Sequence, residues 1–225
     1  MRSRRLSTGF SIVELLVGTA VGLVVVAAGT TVVTHHARES RALTIETRLT
    51  QDLRTAADIV ARDLRRAGYW GAAASGVRGD DGGVVPANPY AAVTPDAAAS
   101  DAVRLAFSRD ASENDSLDGN ERFGFRLRNG AIELQLGDGN WQALTDATTL
   151  TVTRFEVEPR IEETSLERFC AEPCAVGSLV CPPRQQVRSF AVAIEGRAVV
   201  DARVRRSVLA AARLRNGTVV GACEA

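Results

Sequence analysis

The stretch "TGFSIVELLVG", residues 8 to 18, places one carboxylate inside an apolar run. From Phe10 to Val33 there are 24 residues, and Glu14 is the only charged one. A helix of that length spans about 36 Å at about 1.5 Å per residue, enough to cross a hydrocarbon core of about 30 Å. A carboxylate carried into lipid costs roughly 2.5–3.5 kcal/mol on insertion scales. Such a group is functional by default, and it needs a partner.

The flanks orient the run. Arg2, Arg4 and Arg5 precede it with no acid among them, whereas the charges after it are mixed: Arg38, Glu39, Arg41, Glu46. A basic flank stays cytoplasmic, which places the C-terminal body outside the inner membrane. A secretory signal peptide is the rival reading, because Val26-Ala27-Ala28 offers small residues for a cut that would start the mature chain at Gly29. Against it, Glu14 is out of place in a disposable run, and the run continues to Val33.

At 225 residues the chain accommodates one medium domain and an accessory element. Its 27 basic and 27 acidic residues balance, so no global field steers it toward nucleic acid. Every basic residue is Arg and none is Lys, which reads as coding bias. The four cysteines, Cys170, Cys174, Cys181 and Cys223, suit an oxidising compartment.

Beyond the apolar run, Leu49, Leu53, Ala57, Val60 and Leu64 recur at spacings of three and four. They trace one stripe along a helix, with acid–base neighbours such as Asp58 and Arg62 on its solvated side. No Pro precedes Pro86, so one helix is expected over 10–67 with Gly68 as its stop. Gly18 and Gly22 form a small-xxx-small pair that would let membrane helices approach closely, or are simply two glycines of a membrane helix.

Residues 71–100 are rich in Gly, Ala, Pro and Asp without a period, and read as a surface excursion. The clearest hairpin follows at 123–136. Phe123, Phe125 and Leu127 alternate, Asn129-Gly130 turns, and Ile132, Leu134 and Leu136 alternate back. A two-residue turn pairs Leu127 with Ile132, Phe125 with Leu134 and Phe123 with Leu136, and sets Arg126 opposite Glu133 on the wet face. Further strands are expected at 102–107, 149–157, 187–195 and 206–214, the last with Val208, Ala210, Ala212 and Leu214 on one face. The order gives an α+β fold: a long helix, membrane-spanning and then amphipathic, packed on an antiparallel β head.

Catalytic signals are weak. His35 and His36, the only histidines, fall at the membrane exit, and no phosphate loop, nucleophile elbow or metalloprotease motif occurs. In "ENDSLDGN", Asn114, Ser116, Asp118 and Gly119 mimic positions one, three, five and six of a calcium loop. Position twelve is then Phe125, where a bidentate Glu is required, so a solvated loop is the better reading. The cysteines lack the close pairs or histidines of a zinc site, so disulfides are expected, with three connectivities open. A bridge from Cys223 would pin the tail to the 170–181 loop. Arg203, Arg205 and Arg206 cluster without interleaved aromatics, so nucleic acid is not an expected partner. Neither enzymatic activity nor a cofactor or metal is expected.

Arg4-Arg5, Ser7-Thr8-Gly9 and the run Phe10 to Val17 together resemble the leader and N-terminus of a type IV prepilin. The resemblance implies that a membrane-embedded aspartyl prepilin peptidase cuts between Gly9 and Phe10 and methylates the new N-terminal Phe10. Glu14, fifth in the mature chain, would then pair with the N-terminal amine of a neighbouring subunit as helices bundle. "DLRRAGYWG", Asp63 to Gly71, resembles the end of the first helix in minor pilins of the PilW type, and more loosely that of type II secretion pseudopilins of the GspJ type. Tyr69 and Trp70 are expected to pack under the head.

The resemblance implies a leader over 1–9, a helix over 10–67 with 10–33 transmembrane, and a periplasmic or extracellular head over 68–225 bearing the disulfide candidates. It implies an inner-membrane single-pass precursor that joins the pilus filament or its tip. Its implied partners are the prepilin peptidase, other minor pilins, the major pilin and the inner-membrane assembly platform. The implied function is a minor pilin that initiates pilus assembly, in support of twitching motility, adhesion or DNA uptake. The alternatives are a type II secretion pseudopilin and a surface-binding module anchored by a pilin stem.

Overall fold

The computed structural model describes residues 9, 11–76 and 86–224. The chain divides into two units, residues 1–45 and 46–225. Helix α1, Ile12–Arg66, is a single 55-residue element that begins in the first unit and ends in the second.

Within the second unit, α1 buries the expected stripe. Leu49, Leu53, Ala57, Val60 and Leu64 are each at most 3% exposed. Ala56, Ala61 and Asp63 join them, so the buried face is wider than the five apolar positions suggested. Asp63 is sheltered beside Arg62 at 3.5 Å and Arg66 at 3.9 Å, which makes Asp63, rather than Asp58, the acid that the terminal arginines attend. Gly68 stops the helix at φ +75°, a left-handed conformation that costs a residue without Cβ little.

Among the described residues the head contains two antiparallel sheets. The first, in order β1-β2-β3-β4, comprises Ala102–Ala106, Arg122–Arg128, Ala131–Leu136 and Trp141–Ala143. The second, in order β5-β6-β7, comprises Leu150–Ser165, Arg184–Ala198 and Arg205–Arg213; a short β8, Thr218–Val220, also pairs with β6. The fold is therefore α+β, one long helix packed on antiparallel sheets in the pilin-like layout.

The β2–β3 hairpin has the register read from the sequence: Leu127 with Ile132, Phe125 with Leu134, Phe123 with Leu136. Asn129 and Gly130 both adopt positive φ, at 51° and 75°, as a type I′ turn requires. Arg126 and Glu133 form the expected pair at 2.6 Å, but the face is half-buried, because the guanidinium also stacks 3.9 Å over the Trp141 ring. β7 turns Val208, Ala210 and Ala212 to the more buried side as expected, and Leu214, directly after the strand, is buried with them.

Of the surface excursion expected over 71–100, residues 77–85 lie outside the described residues; 86–100 form no helix or strand and stay mostly at the surface, but two side chains turn inward. Tyr90 and Val93 are buried at 0% and 3% exposure. Asn88 donates to the Gly68 carbonyl, Thr94 bridges Arg104, Ser100 bridges Val157, and the Arg188 guanidinium donates to the Ala91 carbonyl. Trp70 packs with Tyr90 and Ala106 in a buried cluster, as expected of it, whereas Tyr69 stays 56% exposed.

Candidate functional site

The N-terminal end of α1 and the residues just before it carry the positions for which the prepilin resemblance implies processing and assembly roles. Gly9 is exposed and non-helical, two residues before the cap. Phe10 and the leader residues 1–8 lie outside the described residues. Ser11 is the cap: its carbonyl accepts the Leu15 amide at 3.1 Å, and its hydroxyl accepts the Val13 amide at 3.3 Å. Glu14 reaches back three residues, and its carboxylate accepts the Ser11 amide at 3.1 Å. This is the reciprocal capping of an S-x-x-E sequence, with two orphan donors satisfied and a negative charge at the positive end of the helix. The sequence reading did not assign Ser11 a role, although the S-x-x-E spacing was there to be read.

From Ile12 to Val33 the large apolar side chains are more than half exposed, and the helix is long and apolar enough to cross a membrane. Its hydroxyls need no water. Thr19, Thr30, Thr31 and Thr34 each donate to a carbonyl one turn back, at 2.7–2.9 Å. Self-satisfied side chains of this kind enter hydrocarbon without orphaned donors. Past the apolar run, His35 and His36 approach Glu39 at 3.4 and 3.9 Å and remain well exposed.

The four cysteines form two bridges in the head, Cys170–Cys223 and Cys174–Cys181. Any of the three open connectivities would tie the C-terminal tail to the 170–181 loop; this one does so through Cys170 and closes Cys174 onto Cys181. The shorter bridge closes a loop whose Val176 and Leu179 are almost wholly exposed.

The acidic loop Glu113 to Asn120 is a structural strap. Glu113 accepts the Tyr90 hydroxyl at 2.8 Å and the Gly71 amide at 2.9 Å, and Asp115 accepts the Trp70 indole at 2.7 Å. Asn114 donates to Asp118, and Phe125 is fully buried in β2. Glu121, with no exposure, accepts the amides of Arg109 and Asp118 at 2.8 and 3.0 Å. Burial would raise the Glu113 carboxyl, but hydrogen bonds from Ser108, Tyr90 and the Gly71 and Asp115 amides outweigh it and hold it below its usual value. Asp110 is pushed up, by desolvation first and then by Glu121, Asp118 and Glu113. The Tyr90 phenol is likewise pushed up, chiefly by burial and then by its bond to Glu113. These groups hold the head together.

Residues 42–214 match the family PpdB, prepilin peptidase-dependent protein B. The chain belongs to this family. No curated protein and no solved structure matches it. In this PpdB-family chain the matched span starts within α1, takes in β1 to β7 and ends directly after them. It leaves out Gly9, Ser11, Glu14 and Cys223.

Proposed function

We propose that this PpdB-family protein is a minor pilin of the PilW type, held in the inner membrane by the first part of α1 and incorporated into a type IV pilus. The prepilin peptidase cuts between Gly9 and Phe10 and methylates Phe10. The head is on the periplasmic side. With other minor pilins, on the assembly platform, the subunit primes the filament of major pilin and stays near its tip. Its role is structural, not enzymatic.

The observation that carries this reading is Glu14, the single carboxylate in an uncharged run, at the start of an uninterrupted helix five residues past Gly9. Two further supports are the prepilin-like motif over residues 4–17, of which Glu14 is part, and the family match, which rests on different residues and begins only at residue 42. A buried carboxylate opposite a neighbour's ammonium offsets the desolvation that each would otherwise suffer alone. In the free subunit the same carboxylate is occupied by the Ser11 amide, next to the end that cleavage creates.

Glu14→Val tests the assignment. The apolar side chain removes a charge from lipid, so the variant inserts at least as well as the parent and is cut normally. Incorporation fails, because the neighbour's amine is left unpaired, at a cost of roughly 3–5 kcal/mol. Processed protein should therefore stay abundant in membranes and fall at least about tenfold in sheared filaments, a factor that about 1.4 kcal/mol already produces. Accumulation of uncut precursor would confine Glu14 to processing. Normal incorporation would remove it as an assembly residue.

A further inference from the structure

We propose that the outer edge of β7 is a docking site for an extended acidic segment of a partner protein, which adds to the second sheet as a further strand. β7 runs from Arg205 to Arg213 and ends the strand order β5-β6-β7. Two flanking bonds fix its phase. The Leu214 amide donates to the Arg188 carbonyl and the Ala198 amide to the Val204 carbonyl, both at 3.0 Å. Antiparallel register then turns the backbone groups of Arg206, Val208, Ala210 and Ala212 toward β6. Those of Arg205, Ser207, Leu209, Ala211 and Arg213 turn outward. Among the described residues their amides and carbonyls meet no backbone partner; the Arg205 carbonyl accepts only from the Arg206 guanidinium.

Natural sheets blunt such an edge with proline, charged side chains, a bulge or brevity. β7 carries charge only at its ends, at Arg205, Arg206 and Arg213, and none from Ser207 to Ala212. It is nine residues long, contains no Pro, and pairs with β6 in unbroken register; the one irregularity in this sheet falls on β5, between Val152 and Arg154. An open edge of this regularity is a template for strand addition.

The side chains say what kind of strand fits. From Ala202 to Cys223 the chain has five arginines and no acid. Arg203 is neutralised by Asp201 and Arg206 by Glu46, whereas Arg205 and Arg213, at the two ends of β7, have no carboxylate partner among the described residues. Between them lies Leu209, 80% exposed, with the small side chains of Ser207 and Ala211 on either side. The chemistry recognised is an extended segment of about nine residues, at about 3.4 Å per residue, with an acid toward each end and apolar residues between. The opposite edge of the same sheet is mixed: β5 carries Glu156, Glu158, Glu162 and Glu163 alongside Arg154 and Arg160, and Glu156, Glu158 and Glu163 are paired with arginines.

The test uses the full chain in detergent, residue-resolved amide exchange, and two capped peptides, Glu-Ser-Val-Thr-Val-Thr-Val-Ser-Glu and its twin with Arg at both ends. The acidic peptide should slow exchange of the Ser207, Leu209 and Ala211 amides at least tenfold, and the effect should weaken in half-molar salt. The Arg-ended twin should leave them unchanged. Leu209→Pro removes an outward donor but no bond of the β6 ladder, so the Val208 and Ala210 amides should stay protected while peptide binding falls at least tenfold. Should that variant lose its ladder, Arg205→Glu with Arg213→Glu serves in its place and should reverse the preference to the Arg-ended peptide. Outward amides that are as protected as Val208 and Ala210 without peptide would overturn the proposal, as would equal protection by both peptides. So would a folded Leu209→Pro that binds like the parent. Self-association through the β5 edge in the absence of peptide would show that a second copy is the occupant, and would overturn it as well.

Discussion

The Glu14 carboxylate accepts the backbone amide of Ser11 at 3.1 Å, three residues back along the chain. The residue expected to bind a neighbouring subunit is therefore already engaged, as a helix cap, in the free one. Capping and subunit pairing can be separated chemically. Glutamine at a capping-box position still accepts the amide, but it carries no charge. Glu14→Gln should keep the helix start and insert normally, yet reach filaments as poorly as Glu14→Val, at least about tenfold below the parent if an unpaired ammonium costs more than about 1.4 kcal/mol. Quantifying processed protein in sheared filaments checks this. Wild-type incorporation of the Gln variant would mean that the cap, not the charge, is what assembly requires.

The two disulfides should contribute unequally. Cys170–Cys223 spans 53 residues of sequence and Cys174–Cys181 spans 7. Loop-closure entropy gives about 4 kcal/mol for the longer and about 2.5 kcal/mol for the shorter. Urea unfolding of Cys170→Ser with Cys223→Ser should show the larger loss, and exported parent protein should contain no free thiol. Reversal of that order would show that the tail bridge is strained or the tail otherwise fixed.

Helix α1 should be sensitive to truncation only along its buried stripe. Leu53, with no exposure, packs where Gly196 leaves room, its Cδ2 lying 3.1 Å from the position a Cβ would take. Leu53→Ala should cost about 2–5 kcal/mol in urea unfolding. Leu43, 63% exposed, should cost within about 0.5 kcal/mol when replaced by Ala.

The head's pH dependence follows from groups shifted in opposite directions. Tyr90 titrates higher in the folded state, through burial and its bond to Glu113. Its contribution is complete below the unfolded value of about 10 and is lost as pH rises beyond it. Glu113 titrates lower when folded, so its contribution is present above about 4.3 and lost as pH falls through the acid range. Asp110 opposes it. Its folded value is raised and its Oδ2 is buried without a partner, so it favours the fold at acid pH and loses that effect as pH rises. Asp110→Asn should therefore raise the melting temperature at pH 7 and change it little at pH 3.5. Tyr90→Phe should cost about 1 kcal/mol at neutral pH and abolish the alkaline step.

How much of this was legible depended on whether a residue's neighbours repeated its message. The β2–β3 hairpin could be read to the residue pair, because three alternating apolar positions on each arm and Asn129-Gly130 between them specify one register. The α1 stripe was legible for the same reason. β5 was read only to Val157, since from Glu158 to Ser165 it is exposed on both faces and carries no apolar alternation. Tyr90 and Val93 were missed because each is a single buried residue in an aperiodic stretch; only the Asn88, Thr94 and Arg188 hydrogen bonds fix the backbone around them. Trp70 and Tyr69, adjacent in sequence, could not be told apart until Asp115 supplied a partner for the indole alone. The division of eight strands into two sheets depends on long-range pairing such as Ser100 with Val157, which local pattern does not encode. At the candidate site Glu14 was conspicuous as a lone charge, whereas Ser11 was legible only through its S-x-x-E spacing to Glu14, which the membrane reading of the run left aside.

The central claim is that this chain is a prepilin whose apolar segment is retained after cleavage beside Gly9. The most direct test is intact-mass and N-terminal peptide analysis of the protein recovered from membranes and sheared filaments. The account predicts one mature species that begins at N-methylated Phe10 and retains Glu14 and the whole of α1, and predicts that it disappears when Gly9 is replaced by a bulky residue. A mature chain beginning at Gly29, or an uncut chain still beginning at Met1, would contradict it.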